Sequence, residues 1–352
     1  MEKEKIFANA FNQVPELGPV RLGKIREYFG GFENAWKAPL DEIKRAAGVE
    51  LDDFRKKIDP EKEFSILDKG KIKIILKGEF PQLLRETPFP PEILYAKGEL
   101  PDENIPHLAV VGTRKCSSYG KEACEKIVSD LAEYKIVIVS GLALGIDSVS
   151  HKTAILNNTK TIGVLGCGLK DEVFYPRENF PLSLEIAEKG GAVISEFPYA
   201  MKAARHTFQQ RNRIIAGLAQ GTFVVEAPEK SGALITANFA LDYNREVFSL
   251  PGPIFSENSA GANNLIKAGA TPVLSSEDIL RVFGIETGSA QKEAPDLSPL
   301  EEKIISALIQ PTTRDDLIRA VGLSAKAINP ALGVLEIRGI IKESDGEIYK
   351  LI

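Results

Sequence analysis

Residues Ile136 to Asp147 read I-V-I-V-S-G-L-A-L-G-I-D, a run of aliphatic residues that breaks into a glycine-rich turn and then a carboxylate. Four apolar residues without alternation predict a strand buried on both faces, which is the habit of a parallel sheet covered by helices on both sides. The same text recurs on either side. Leu108 to Val111 ends in G-T-R, Thr161 to Leu165 in G-C-G, and Ala192 to Ile194 in S-E-F-P. Thr222 to Val225 ends in E-A-P-E-K-S-G, and Glu246 to Leu250 in P-G-P. Helical patterns, Lys121 to Glu133 and Ile146 to Asn157 among them, alternate with these strands. The expected fold is therefore a doubly wound α/β domain, with its ligand beyond the carboxyl ends of the strands, where the glycine turns fall.

Outward from that domain, residues 1–66 carry helical patterning broken by Gly and Pro and predict a small helical bundle. Its V-P-E-L-G-P-V turn resembles a helix-hairpin-helix, but its lysines and arginines are balanced by acids, and a simple packing module is expected. Residues 67–101 hold short β-like pieces, Ile72 to Leu76 and Ile93 to Tyr95, and are assigned with the sheet to a domain spanning 67–285. A polar linker is expected over 286–296. Residues 297–352 have a winged-helix layout: helix, helix–turn–helix with Gly322 in the turn and Ser324 as N-cap, then a hairpin of Ile340 to Glu343 and Ile348 to Leu351. Pro330 is expected to kink or end the second of those helices. This module is net acidic and offers few cations for reading bases, so an interaction or bracing role is expected of it.

The 352 residues carry 44 Lys and Arg against 49 Asp and Glu, a net charge of −5. Nucleic-acid binding must then come from a local patch. Met201 to Leu218, M-K-A-A-R-H-T-F-Q-Q-R-N-R-I-I-A-G-L, is the densest cationic stretch, with Lys202, Arg205, Arg211 and Arg213. The spacing of Ile214, Ile215 and Leu218 predicts a helix after Gln209 whose first turn carries Arg211 and Arg213 and whose free N–H groups favour phosphate. Three cysteines without metal-ligand spacing point to no disulfide framework and no zinc site, and hence to a reducing cytoplasm. No apolar run reaches the ~20 residues of a membrane helix, so no membrane partner is expected. Neither a dinucleotide fingerprint nor a P-loop occurs, and no cofactor is expected. Asp147 and His151 stand four apart on one helix, close enough to interact. A carboxylate holding the amides of the glycine loop accounts for Asp147 without catalysis.

In order along the chain, V-V-G-T-R with Tyr119-Gly120, S-G-L-A-L-G-I-D with His151, Y-P-R-E-N, S-E-F-P, F-Q-Q-R-N-R-I-I-A-G-L, V-V-E-A-P-E-K-S-G-A-L-I-T-A, P-G-P and G-A-N-N-L-I-K-A-G-A form one series. That series closely resembles the bacterial DNA-processing protein A family (DprA, or Smf) over most of Pro81 to Leu280. The resemblance implies an extended Rossmann-like domain that binds and protects single-stranded DNA, forms a homodimer and loads the recombinase RecA during DNA uptake, natural transformation or recombination, without catalysis. It also implies an N-terminal bundle of sterile-alpha-motif or helix-hairpin-helix type and an accessory winged helix. By motif, Arg114, Ser140, Gly141, Arg211 and Arg213 would line the DNA pocket and Asn212 would brace it. Lys202 and Arg205 of the cationic stretch, with Ser231 and Gly232, complete the expected DNA-binding set. Phe208, Phe174 and Tyr175 are candidate stacking platforms for bases. Thr113 stands where the family often has Ser, Gln209-Gln210 precede R-N-R, and the G-L-K-D-E-V-F-Y-P segment is longer than usual. Glu226 and Glu229, flanking Ala-Pro, leave an alternative: a Rossmann-like nucleotide-binding enzyme or sensor acting on a small phosphorylated ligand.

Overall fold

The structure, a computed structural model, describes residues 2–286, 297–344 and 346–350. The chain divides into two compact units between Glu286 and Thr287. The expected linker beyond Glu286, the hairpin-turn residue Asp345 and the strand end at Leu351 lie outside the described residues.

The first unit opens with helices α1 (Glu2–Asn12), α2 (Pro19–Phe29), α3 (Phe32–Lys37), α4 (Leu40–Ala47) and α5 (Pro60–Lys69). Glycines 30 and 48 end α2 and α4 in the left-handed conformation, which removes the Cβ clash that another residue would meet there. Phe11, Phe32, Trp36 and Phe54 pack ring against ring at centroid distances of 5.3 to 5.8 Å. This cluster is continuous with the sheet: Phe11, Leu22 and Ile25 share one core with Ile74, Ile93, Tyr95 and Val193. The bundle thus packs on the α/β layer rather than folding around a closed core of its own.

Strands β1 (Lys73–Leu76) and β2 (Ile93–Gly98) form an antiparallel pair, with the short helix α6 (Gln82–Arg85) between them. Next come β3 (His107–Val111), α7 (Ser118–Ala132), β4 (Val137–Ser140), α8 (Ile146–Leu156), β5 (Thr161–Val164), α9 (Phe180–Glu188) and β6 (Ala192–Ser195). They are followed by α10 (Arg205–Gly217), β7 (Gly221–Val224), α11 (Gly232–Asp242), β8 (Glu246–Ser249), α12 (Glu257–Lys267), β9 (Thr271–Pro272) and α13 (Ser276–Val282). The sheet order is β1-β2-β6-β5-β4-β3-β7-β8-β9, parallel from β6 to β9, with β2 antiparallel to β6. All six strands expected from the apolar runs between His107 and Leu250 are present.

Side-chain alternation distributes each strand between layers. Leu108, Val110 and Ile138 pack with Cys124, Ile127 and Leu131 of α7, whereas Ala109, Val111, Val137 and Val139 pack with Ile214 and Ile215 of α10 and Ala237 of α11. In β2, Ile93 and Tyr95 face the bundle, and Leu94 and Ala96 join the α10 side. Chain order reverses between β3 and β7, so the turns after those strands diverge and open a crevice at the switch point.

The second unit has α14 (Pro299–Ala307), β10 (Thr312–Thr313), α15 (Arg314–Val321), α16 (Ala325–Ile337), β11 (Ile341–Ser344) and β12 (Glu347–Lys350), with sheet order β10-β12-β11. Gly322 ends α15 at φ 70°, and α15 and α16 meet at 115°, the geometry of a helix–turn–helix followed by a wing. Ser324 takes the N-cap position without a side-chain bond. Of the kink or early end expected at Pro330, the early end does not occur: the helix runs through it, with Ile328, Leu332 and Leu335 in the unit's core. Among the described residues no single helix is long and apolar enough to cross a membrane.

Candidate functional site

The crevice after β3 and β7 has a volume of about 1010 Å³. One wall is the G-T-R turn, one is the E-K-S-G turn at the start of α11, and the third is α10. Helix α10 begins at Arg205, five residues before the expected start after Gln209. Thr207 Oγ1 accepts the Ala204 N–H at 3.0 Å and donates to the Gly166 carbonyl at 2.5 Å, fixing the entry. Arg211 and Arg213 therefore sit in mid-helix, and neither belongs to a first turn with free amides. The apolar period did not mark the early turns because their residues face cavities: Arg205 and Gln209 line the crevice, His206 and Gln210 another cavity.

Beneath the crevice, the glycine loop is clamped from three sides. Asp147 Oδ2 accepts the N–H groups of Gly141 at 3.1 Å and Ala143 at 3.3 Å, the role expected of a helix-start carboxylate. Asn179, from Y-P-R-E-N, donates to the carbonyls of Leu142 at 2.9 Å and Ala143 at 3.0 Å. Arg211 donates to the Gly141 carbonyl at 2.6 Å and also to the Val164 carbonyl, while its Nε donates to Asn212 Oδ1 at 3.1 Å. Only glycine fits at 141, since a Cβ would stand 2.6 Å from both the Arg211 guanidinium and the Asp147 carboxylate. Burial pulls Arg211 down to about 10, opposed by Asp147, and the side chain stays charged at neutral pH. Burial also raises Asp147, opposed first by Arg211. The pair thus forms a compensated floor under the crevice.

The expected site residues divide into groups. Arg114 and Arg205 are exposed in the crevice walls, and Gly232 is an exposed first residue of α11. Ser231 caps α11, accepting the Ala233 N–H at 3.2 Å, and Asn212 Nδ2 donates to the Gly232 carbonyl at 3.1 Å, tying α10 to α11. Arg211 and Asn212 line the crevice floor but are 4% and 8% exposed, with their polar atoms engaged by the protein. Ser140 is fully buried and donates to the Val110 carbonyl at 2.6 Å, and Gly141 is buried at the mouth of a side cleft. Lys202 is exposed in the segment before α10 and is not among the residues lining the crevice. Arg213 leaves the site altogether: it lies on the other side of α10 in an ion pair with Glu196, the two side chains 8% and 4% exposed. No pattern near R-N-R announces that partner, which lies 17 residues upstream.

Two exposed cations in the walls, Lys115 and Lys230, were not in the expected set, although both adjoin its motifs. Glu229 and Glu257 also stand at the rim. Among the aromatics, Phe174 is core, packed on Phe180. Phe208 lies under the Arg114 guanidinium at 5.4 Å and beside the half-exposed Tyr175 ring at 5.7 Å, in the side cleft that Gly141 and Arg211 floor. An arginine over an aromatic face is held flat and ready to present its fork.

The residues that look catalytic are occupied. Glu226 is 2% exposed and accepts the Ser117 N–H at 2.9 Å and its hydroxyl at 2.6 Å, fixing the start of α7. His151 does not meet Asp147; its Nδ1 lies 2.7 Å from Thr161 Oγ1. That hydroxyl donates to the Ile138 carbonyl, so the ring carries its proton on Nδ1 and donates it. Burial pushes His151 down to about 3, with Arg211 adding to the effect. Among the described residues no His, Cys, Asp or Glu group has a metal-holding arrangement.

Comparison with known proteins agrees with this architecture. The family model for DNA recombination-mediator protein A matches residues 71–284, and that for the DprA winged helix domain matches residues 288–347. Protein Smf of Synechocystis is 33% identical, over 99% of this chain and 98% of its own length. DNA processing protein A of Streptococcus pneumoniae has a solved structure that is similar with a TM-score of 0.67 at 33% identity, covering 80% of this chain and 98% of that one. DNA processing protein A of Helicobacter pylori, solved for its single-stranded DNA binding mode, is similar with a TM-score of 0.53 at 27% identity, covering 60% and 95%. With a model matched across the whole parallel sheet and a relative aligned nearly end to end, the chain belongs to the DNA recombination-mediator protein A family.

Proposed function

We propose that the switch-point crevice binds single-stranded DNA and that the protein delivers that strand to RecA. The observation that carries the proposal is the ring of exposed cations, Arg114, Lys115, Arg205 and Lys230, around a crevice in a chain of net charge −5. These side chains hold phosphates, and the buried Arg211, Asp147 and Asn212 keep the walls in place. Phosphate contacts position a strand without reading its sequence. Preference for a single strand comes from the exposed Tyr175 ring, on which an unpaired base stacks, a contact worth ~1–3 kcal/mol where it forms. Support also comes from the Helicobacter pylori relative, whose structure concerns single-stranded DNA binding.

RecA loading and homodimerisation are part of the same proposal, and family membership supports them. The exposed Val334 and Ile337 of α16 suit a protein-facing role for the winged helix. The three cysteines are free thiols, which suits the cytoplasm. The alternative of an enzyme acting on a small phosphorylated ligand draws no support from Glu226, whose carboxylate is spent on Ser117.

The test is fluorescence anisotropy of a labelled single-stranded oligonucleotide with duplex competitor. Single-strand-selective, salt-sensitive binding that Arg114→Ala weakens is the expected result. Equal affinity for duplex, or no binding at low salt, would overturn the proposal. RecA loading is then read as faster filament nucleation on the protein-bound strand.

A further inference from the structure

The loop that joins β8 to α12 reads P-G-P-I-F-S over residues 251–256. Ser256 donates its N–H to the Pro253 carbonyl at 3.0 Å, so Ile254 and Phe255 form the corner of a β-turn. Such corners favour Gly, Asn, Asp and Ser, whose backbones or short polar side chains suit the bend. This one holds two large apolar side chains instead, 82% and 96% exposed. Neither the turn nor the core accounts for them.

The loop is braced along its length. Gly252 exchanges two hydrogen bonds with the Asn263 amide, at 3.1 and 3.0 Å, and the Tyr119 hydroxyl donates to the Pro251 carbonyl at 2.6 Å. It is also fastened to both walls of the crevice. Asn258 Nδ2 donates to the Lys115 carbonyl at 3.0 Å, beyond β3, and the Asn258 carbonyl accepts the Ala227 N–H at 2.8 Å, beyond β7. Glu257 and Asn258 themselves line the crevice. Phe255 precedes Asn258 by three residues, so its Cα lies within about 11 Å of that wall.

We propose that the Phe255 ring is a stacking platform for a base of the strand where it leaves the crevice past Lys115. The proposal rests on the reading of the crevice as a single-stranded DNA site and extends that site onto the β8–α12 loop. The rim to which the corner is fastened carries Lys115 and Lys230, exposed cations that suit a phosphate chain. Two side chains on a narrow turn offer a ring face that one base covers, and fall short of the several hundred Å² of contiguous apolar surface that marks a protein interface. A braced loop holds the ring in place before the strand arrives, which lowers the cost of ordering it. Residues 251–257 contain no cation, so the corner contributes stacking and no phosphate contact of its own.

The test uses the full chain and thymidine oligonucleotides of about 4–16 nucleotides, the span of site sizes on single-strand-binding modules. Phe255→Ala, Phe255→Leu and Phe255→Trp change a side chain that is almost wholly exposed, so all three keep the core intact. By anisotropy, the alanine and leucine variants should each bind the longer oligonucleotides about fivefold or more weakly, with the parent's salt slope. The loss should shrink on the shortest oligonucleotides, which the crevice alone holds. Phe255→Trp should bind as the parent does and show fluorescence quenching that the parent's Trp36, packed on Phe11 and Phe54, does not. Alanine and leucine variants within about twofold of the parent at every length, or no quenching of Phe255→Trp in a complex that anisotropy shows to be formed, would remove the platform. The crevice reading survives that result if Arg114→Ala still weakens binding. A leucine variant that binds like the parent while the alanine variant does not would replace stacking by apolar packing and overturn the proposal. So would loss of self-association in Phe255→Ala with unchanged oligonucleotide affinity, which would give the corner to a second copy of the chain. No binding of any oligonucleotide at low salt would remove the crevice reading and the platform with it.

Discussion

Replacing Arg213 by methionine should destabilise the first unit by about 3–5 kcal/mol at pH 7, the usual cost of removing one partner from a buried ion pair. Arg213 and Glu196 are 8% and 4% exposed at their side chains, so water cannot stand in for the lost guanidinium. The variant leaves the Glu196 carboxylate with the Gln210 amide as a hydrogen-bond partner and takes away its cation. Burial raises Glu196 above the ordinary carboxylate range and Arg213 opposes that rise, so its loss raises the folded-state value further. A carboxyl raised in the folded state binds a proton there more readily than in the unfolded chain. The variant's stability therefore improves as pH falls, and its deficit against the parent narrows between pH 7 and the unfolded value near 4.5. Adding Glu196→Leu should restore most of the loss, because two apolar residues replace the pair. Urea unfolding followed by Trp36, the chain's single tryptophan and part of the bundle core joined to the sheet, reports all three quantities. A deficit under about 1 kcal/mol with no pH dependence would refute the burial of this pair.

Gly145 has φ +78°, and a Cβ there would run into the Thr113 carbonyl and stand 2.8 Å from Arg114 Cα. Gly145→Ala should cost at least about 2 kcal/mol by the same urea assay and weaken oligonucleotide binding by displacing the G-T-R turn. His151, held down to about 3 by burial, should keep its neutral ring signals by NMR from pH 8 to pH 5. Because its folded value lies below its unfolded one, the stability it contributes is complete above about 6.5 and is lost at about 1.4 kcal/mol per unit as pH falls from there towards 3. Glu226→Gln should cost about 1–3 kcal/mol, since an amide cannot accept from both Ser117 groups. Neither parent nor variant should hydrolyse nucleoside monophosphates.

The parallel sheet was legible because its strands are mostly apolar runs and most of them end in a glycine turn, a local signal that needs no knowledge of partners. Asp147 was legible for the same reason: its donors, the amides of Gly141 and Ala143, lie within six residues. The start of α10 was not, because its first turns face cavities and lack an apolar period. Arginine alone does not reveal whether it faces solvent or spans the interior. Arg211 reaches carbonyls 70 and 47 residues away and Arg213 a carboxylate 17 away, contacts fixed only when the layers assemble. Nor does helical periodicity show that the bundle shares its core with β2 and β6, since Tyr95 reads simply as a strand aromatic until Asn9 meets its hydroxyl. Pro330 yields to tertiary burial of Ile328 and Leu332 on either side of it.

The most direct measurement is the salt dependence of oligonucleotide affinity in single alanine variants of Arg114, Lys115, Arg205 and Lys230, beside the Arg213→Met/Glu196→Leu pair. Each crevice cation that holds a phosphate should take about 0.7 from the slope of log affinity against log salt. The paired variant, folded but lacking the buried ion pair, should keep the parent slope. An unchanged slope in all four alanine variants, with a reduced one in the paired variant, would contradict the account and move the DNA to the Arg213 side of α10.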